Sequence, residues 1–427
     1  MPAEVPGSVT GLGRAESGRP APARALARLA GPHEAAFDSR YWSREPLLVR
    51  GADTHAFADL LDLDSVDELL SRRGLRTPFL RLARNGSVVD STSFSGPGGV
   101  GAEIGDQVRD DAVAAAFAGG ATVVLQALHR LWPPVIDFVA RLAAELGHPV
   151  QANAYVTPPS SRGFSAHFDV HDVFVLQLAG RKHWQVHAPV HPDPLRDQSW
   201  NSYATQVASR AQDEPAIDVV LEPGDVMYLP RGWIHAATAL GGVSAHLTLG
   251  VHVVTRYALV EALAALVSAD PDLRASLPVG VDVADPAALA PHLEDVRAAL
   301  LGALDRVSVE AVSRRVRGRV WTGSRPESVR PVAGAAFAEG LSRGDAVRLR
   351  LGLGHRLVEG GDPDTDLVLE LPDRRMQLPA ATGTALRALL SGAVLQIGAV
   401  PGLDEADQIV LVRRLLREGV LVPATRP

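Results

Sequence analysis

From 168 to 175 the chain alternates and clusters Phe, Val and Asp as a strand does, and residues two apart on a strand share a face, so His167 and Asp169 are expected to project to the same side. The run 221–230 reads as a turn at Pro223-Gly224-Asp225 into a short apolar strand, and Pro230 and Gly232 bend the chain ahead of His235. A further strand is expected over 244–252. Upstream, 60–73 and 133–146 read as helices. In the second, Ile136, Val139, Ala140 and Ala143 fall on one face, with Pro133 and Pro134 suited to its first turn. That helix is expected on the outside of the sheet.

After residue 254 the period changes. Helices are expected over 257–267 and 296–316, separated by a Pro- and Asp-rich stretch at 270–291. In the second, Leu300, Leu304, Val307, Ala311 and Val312 recur at threes and fours, an apolar stripe that needs a partner. It packs either on a second copy or on the same chain. From 343 onward the pattern is that of a small mixed unit, with strands at 347–353, 367–371 and 420–422 and helices at 380–390 and 404–417. Asp404 suits an N-cap and Gly419 a helix stop.

Composition changes this picture in three ways. A length of 427 residues exceeds one ordinary domain, so two or three units are expected. The net charge of −7 gives no broad basic footprint for nucleic acid, and 341–427 holds eleven arginines against eleven acids. The absence of cysteine removes disulfides and thiolate metal sites and accords with a reducing, cytoplasmic setting. No stretch is long and apolar enough for a membrane span, and the Gly-, Pro-, Ala- and Arg-rich start reads as a flexible lead.

The candidate chemistry lies in His167, Asp169 and His235. Two imidazoles and a carboxylate can occupy one face of a metal and leave the opposite positions open, which is the facial triad of non-heme iron(II) oxygenases. Asp172 is placed either as a carboxylate supporting a ligand histidine or as a strand-surface ion pair. His171, His183, His187 and His191 match no closed metal site and read as surface or packing residues. Trp184 reads as barrel packing and Trp233 as a residue of a substrate mouth.

Three spaced segments then carry a resemblance: Asn153-Ala154-Tyr155-Val156-Thr157-Pro158-Pro159, Gly163-Phe164-Ser165-Ala166-His167-Phe168-Asp169, and 172–184, ending Gly180-Arg181-Lys182-His183-Trp184. With the run 120–129 and Trp42 ahead of Pro46-Leu47-Leu48-Val49, they resemble the JmjC-type cupin oxygenases of the ribosomal oxygenase family over most of 30–255. The resemblance implies a mixed α+β chain built on a double-stranded β-helix (jelly-roll, cupin), with a helical dimerisation region and a C-terminal winged-helix-like domain. The expected division is a lead over 1–32, the oxygenase domain over 33–254, the helical region over 255–338 and the winged-helix-like unit over 339–427.

The resemblance also assigns roles. His167, Asp169 and His235 fall on the iron(II) ligands, and Lys182 falls where a basic residue grips the far carboxylate of 2-oxoglutarate. Lys182 is the only lysine in the chain. An ammonium set between apolar strand positions resists burial unless an anion pairs with it. Asn153 and Tyr155 match an Asn-x-Tyr pair that contacts the target in histidine-hydroxylating members, whereas a later serine of that pattern is Gly250 here. The departure leaves arginine as well as histidine open as the target. The expected activity is hydroxylation of a ribosomal-protein side chain by iron(II), 2-oxoglutarate and dioxygen, in a homodimer that binds neither nucleic acid nor membrane. The alternatives are a hydroxylase tailoring a ribosomally made peptide or another small substrate, and a noncatalytic cupin that binds a partner.

Overall fold

The computed structural model describes residues 24–84, 86–159, 161, 165–359 and 367–424. Most of the expected lead, and Gly163 and Phe164 of the resemblance, lie outside them. Within the lead's expected bounds, Ala25–Ala30 is a helix rather than flexible chain. Ala25, Leu29 and Ala30 are buried, and the Glu145 carboxylate accepts from the otherwise unpaired Ala25 and Leu26 amides at its start.

The centre is an antiparallel sheet of nine strands among the described residues. Its main strands are β1 (Leu47–Val49), β2 (Leu80–Arg84), β3 (Thr122–Leu125), β4 (Val150–Thr157), β5 (Asp172–His187), β6 (Ile217–Leu221), β7 (Val226–Leu229) and β8 (Ile234–Val251). The path runs β1-β7-β5-β8-β4-β3-β2, with β6 added on β5. Along β4 the side chains alternate. Val150, Ala152, Ala154 and Val156 enter the core, and Gln151, Asn153 and Tyr155 face the other way. Opposite them on β8, Leu247, Leu249 and Val251 are buried, each such side chain contributing about 2 kcal/mol of apolar transfer.

Two long strands make the architecture. The second half of β8 pairs with β4 on one side and with the first half of β5 on the other, while its first half, Ile234 to Leu240, pairs with Arg181 to His187 of β5. The other edge of β5 changes partner in the same way, from β7 at Val173–Leu176 to β6 at Lys182–Val186. The change falls at Gly180, whose φ is +60° and where a Cβ would lie 2.1 Å from the Val243 carbonyl oxygen. Only a residue without a side chain permits that approach.

Several expected boundaries move. The strand expected at 168–175 begins at Asp172, so His167 and Asp169 precede it, and the strand expected at 244–252 is the second half of β8. The 60–73 helix spans Leu63–Arg72, capped by Asp62, and Pro133–Leu146 stands as expected with Gly147 closing it at φ 72°. The expected helix over 296–316 is two: Pro286–Asp305 starts inside the stretch read as a separator, capped by Asp285, and Val309–Gly323 is capped by Ser308. The C-terminal part has its own core, including Val347, Leu369, Leu386, Val412 and Leu415. Three strands there, Arg356–Glu359, Arg375–Leu378 and Leu395–Gln396, were not expected, and 380–390 is a 3-10 turn followed by Gly383–Leu389.

Candidate active site

His167 and His235 are joined by a two-residue bridge, each amide donating to the other's carbonyl (3.2 and 2.8 Å). The Gly232 amide donates to the Asp169 carbonyl at 3.0 Å. These bonds hold the segment before β5 against the segment that opens β8. One ligating atom from each of His167, Asp169 and His235 then lies within 4.8 Å of the others, and no other such group is found among the described residues.

The imidazoles are oriented from behind. His167 Nδ1 donates to the Ser165 carbonyl at 2.7 Å and His235 Nδ1 to the Trp233 carbonyl at 3.0 Å, which leaves the Nε2 lone pairs for a metal. His235 Nε2 is 3.7 Å from the nearer Asp169 oxygen. Burial, helped by His167, draws the His235 pKa down to about 4, so the ring is neutral and able to ligate at neutral pH. Burial alone would raise the Asp169 carboxyl, but His171, His235 and His167 together outweigh it and hold the group below its ordinary value. The donor set fits a divalent metal of intermediate softness: two neutral imidazoles, one carboxylate, and an open side toward a cavity of about 170 Å³.

That cavity is walled by Val173, Val175, Trp184, Ala236 and Ala237 and carries polar groups from β4, β5 and β8. Among its lining residues Lys182 is only 3% exposed. Its Nζ lies 3.3 Å from the Thr157 hydroxyl and 3.4 Å from His246 Nδ1, with no carboxylate in its ion-pair range among the described residues. Burial lowers its pKa to about 7. Burial and the adjacent Lys182 push His246 well below its ordinary value, so the neutral ring accepts from the ammonium. An anion entering the cavity meets a buried cation that lacks a counter-ion.

The remaining predicted residues divide. Tyr155 stacks on His246 at 5.0 Å between ring centroids, and Asn153 stands opposite Thr248, its side-chain oxygen accepting from the Ala127 amide at 3.0 Å. Both line the cavity. Gly250 stands opposite Gln151. Trp233 does not line the cavity. Its side chain packs on the apolar cluster of Trp184, Val186, Met227 and Leu229, and its carbonyl orients His235. Asp172, fully buried, supports neither ligand histidine. It accepts from the Tyr228 hydroxyl, from Ser43 Oγ at 2.9 Å and from the Arg231 amide at 3.0 Å, tying the start of β5 to the end of β7.

Of the four other histidines, only His171 lines the cavity. His183 bonds Asp218, His191 stacks on Tyr203, and His187 is buried. His246, Thr157, Gln151 and His171 were not anticipated as site residues. The signal for His246 was present: with Thr248 and Gly250 it alternates along one strand face, as Gln151, Asn153 and Tyr155 do on the other.

Residues 134–259 match the JmjC domain. The chain is 33% identical over 256 residues to ribosomal oxygenase 1 of Gallus gallus, covering 57% of this chain and 39% of that protein. It is 31% identical over 249 residues to the bifunctional lysine-specific demethylase and histidyl-hydroxylase NO66 of Drosophila persimilis, covering 57% and 34%. The chain therefore spans about two fifths or less of the length of these curated relatives. A crystal structure of the Escherichia coli ribosomal oxygenase YcfD aligns with a TM-score of 0.51 at 19% identity, over 91% of this chain and 97% of that one. A second structure of YcfD, in complex with cobalt and 2-oxoglutarate, aligns with a TM-score of 0.50 at 18% identity, over 92% and 98%. At this identity the likeness shows the fold: a mixed α/β chain with an antiparallel cupin core, as the resemblance implied.

Proposed function

We propose that this JmjC-domain chain, homologous to the ribosomal oxygenases, is an iron(II)- and 2-oxoglutarate-dependent oxygenase that hydroxylates an arginine or histidine side chain of a ribosomal protein. The observation that carries the reading is the convergence of His167, Asp169 and His235 within 4.8 Å at a cavity also lined by a buried lysine that has no carboxylate partner among the described residues. Iron(II), when bound with 2-oxoglutarate and dioxygen, supplies the oxidising chemistry, giving succinate, carbon dioxide and a hydroxylated C–H position.

The chain's own residues provide place and environment. His167 and His235 would hold the metal through Nε2 and Asp169 through its carboxylate, all three fixed by the backbone bonds behind them. Lys182 would pair with the distal carboxylate of 2-oxoglutarate, with the Thr157 hydroxyl beside it. Val173, Val175 and Trp184 keep water from the inner cavity. Asn153 and Tyr155 lie on the wall that a target side chain would reach. Among the described residues Asp169 is the one carboxylate lining the cavity and would be committed to the metal, so a neutral imidazole enters at a smaller desolvation cost than a guanidinium.

The finer organisation follows the same reading: an oxygenase domain over 33–254, a helical dimerisation region over 255–338, a winged-helix-like unit over 339–427, a homodimer, and a cytoplasmic address shared with ribosomes. No described helix is long and apolar enough to cross a membrane. The first test is succinate formation from 2-oxoglutarate that requires iron and ascorbate. His167→Ala is expected to abolish it, and a wild type without turnover would leave the noncatalytic cupin. The second is intact-mass analysis of ribosomal proteins from cells with and without the enzyme. Turnover with no ribosomal protein heavier by one oxygen atom would favour the peptide-tailoring alternative, which the missing serine at Gly250 permits.

A further inference from the structure

The β4–β8 ladder sets three rungs beside the cavity: Tyr155 opposite His246, Asn153 opposite Thr248, and Gln151 opposite Gly250. Side chains fill both ends of the first two rungs. The third is different. The space that residue 250 would claim is taken by His171, which comes from the turn between Asp169 and β5. A Cβ at position 250 would lie 3.0 Å from His171 Cε1 and 3.1 Å from both Cγ and Nε2 of Gln151. Gly250 is thus the seat of a Gln151–His171 pair, and the missing serine and the presence of that pair are one feature.

The pair is ordered. His171 Nδ1 lies 3.3 Å from the Asp172 carbonyl oxygen, and its Nε2 lies 3.3 Å from Gln151 Nε2. A ring that donates from Nδ1 to the carbonyl accepts the Gln151 amide at Nε2, which assigns both the tautomer and the amide orientation. His252 packs edge-on against the ring at 5.3 Å between centroids. Gln151 and His171 both line the cavity, and Gln151 Oε1 accepts from no described residue. A half-buried amide oxygen fixed by its neighbour and left without a donor is a ready contact for an incoming N–H.

We propose that Gln151 and His171, seated by Gly250, recognise the target side chain, with Gln151 Oε1 accepting a hydrogen bond from an N–H that the ribosomal-protein side chain carries. The inference rests on the oxygenase reading and names the residues that select its target. An imidazole or a guanidinium offers such a donor. A serine at residue 250 would press its Cβ on this ring and amide and oblige both to shift from the positions that make the contact.

The test compares wild type with Gln151→Leu, His171→Ala and Gly250→Ala, using ribosomal proteins extracted from cells that lack the enzyme as the probe. Hydroxylation is read by intact mass, and succinate is measured with and without the ribosomal proteins. Leaving a target donor unpaired is expected to lower kcat/KM for hydroxylation by about tenfold or more, mainly through KM, so that succinate formed per hydroxylated target rises. Gly250→Ala adds no polar group, so its matching loss would come from the displaced pair. Variants that hydroxylate at the wild-type rate, or that lose hydroxylation and target-free succinate formation in parallel, overturn the proposal. A wild type that makes succinate but modifies no ribosomal protein sinks this contact together with the ribosomal target. One that makes no succinate shows instead that the oxygenase reading itself has failed.

Discussion

Lys182 brings a positive charge into a cavity that offers it a hydroxyl and an imidazole nitrogen but no carboxylate. Burial therefore pulls its pKa from 10.5 to about 7. The sign of the consequence follows from linkage. Between pH 7 and 10.5 the unfolded chain holds a proton on this lysine that the folded chain has released, so folding stability should rise with pH across that window and level off below 7, where both states hold the proton. The sequence makes this easy to isolate, because it has no cysteine and no other lysine. The unfolding midpoint of the metal-free protein should climb from pH 7.5 to 9.5, and that of Lys182→Met should stay flat. Binding of 2-oxoglutarate to the wild type should run the other way, weakening by up to about tenfold per pH unit above 7, since only the ammonium pairs with the carboxylate. Equilibrium dialysis across the same pH range checks this, and a constant Kd would remove Lys182 from the anion site.

At the scale of elements, the site depends on two long strands that each serve two neighbours, and Gly180 is where β5 makes the change. Gly180→Ala combines a left-handed backbone with an overlap against the Val243 carbonyl, and is expected to cost about 2–5 kcal/mol in urea unfolding. Gly242→Ala, in the same hairpin region but with open space around its Cβ position, should be close to neutral. Comparing the two separates the bend from general loop sensitivity. The same bend explains what the sequence could and could not reveal. His167 and Asp169 were legible as neighbours on one face, but the strand start was not. Phe168 and Val170 look like strand residues, while the backbone there is satisfied by the His235 bridge and Gly232 rather than by a ladder. The strand expected from 244 starts instead at Ile234, and β8 runs through Gly241 and Gly242 with a register shift. The opposite error occurred in the helices, where the apolar period runs across Arg306–Ser308. Period alone does not register that Ser308 caps a new helix.

For the whole molecule, the question is where the apolar surface outside the barrel goes. The helices Arg256–Val267, Pro286–Asp305 and Val309–Gly323 keep Leu259, Val260, Leu293, Val296, Leu301 and Val309 exposed, Leu301 at 65%. Single exposed aliphatic residues are ordinary, but several on neighbouring helices favour a covering surface. The balanced charge of 341–427 makes phosphate a poor candidate for the adjoining unit, and a second copy of the chain is the simplest source of complementary apolar area. Light scattering on the wild type should therefore report twice the 45.1 kDa chain mass. Val260→Glu combined with Leu301→Glu should shift the equilibrium to the single chain, because a buried unpaired carboxylate costs several kcal/mol at such a contact. The metal-ligand set and Lys182 come wholly from the barrel segments, so iron-dependent succinate formation should survive in that monomer. A wild type that already runs as one chain at micromolar concentration would instead mean that these helices cover something other than their own copy. Loss of turnover in the monomer would mean that a second chain reaches the cavity.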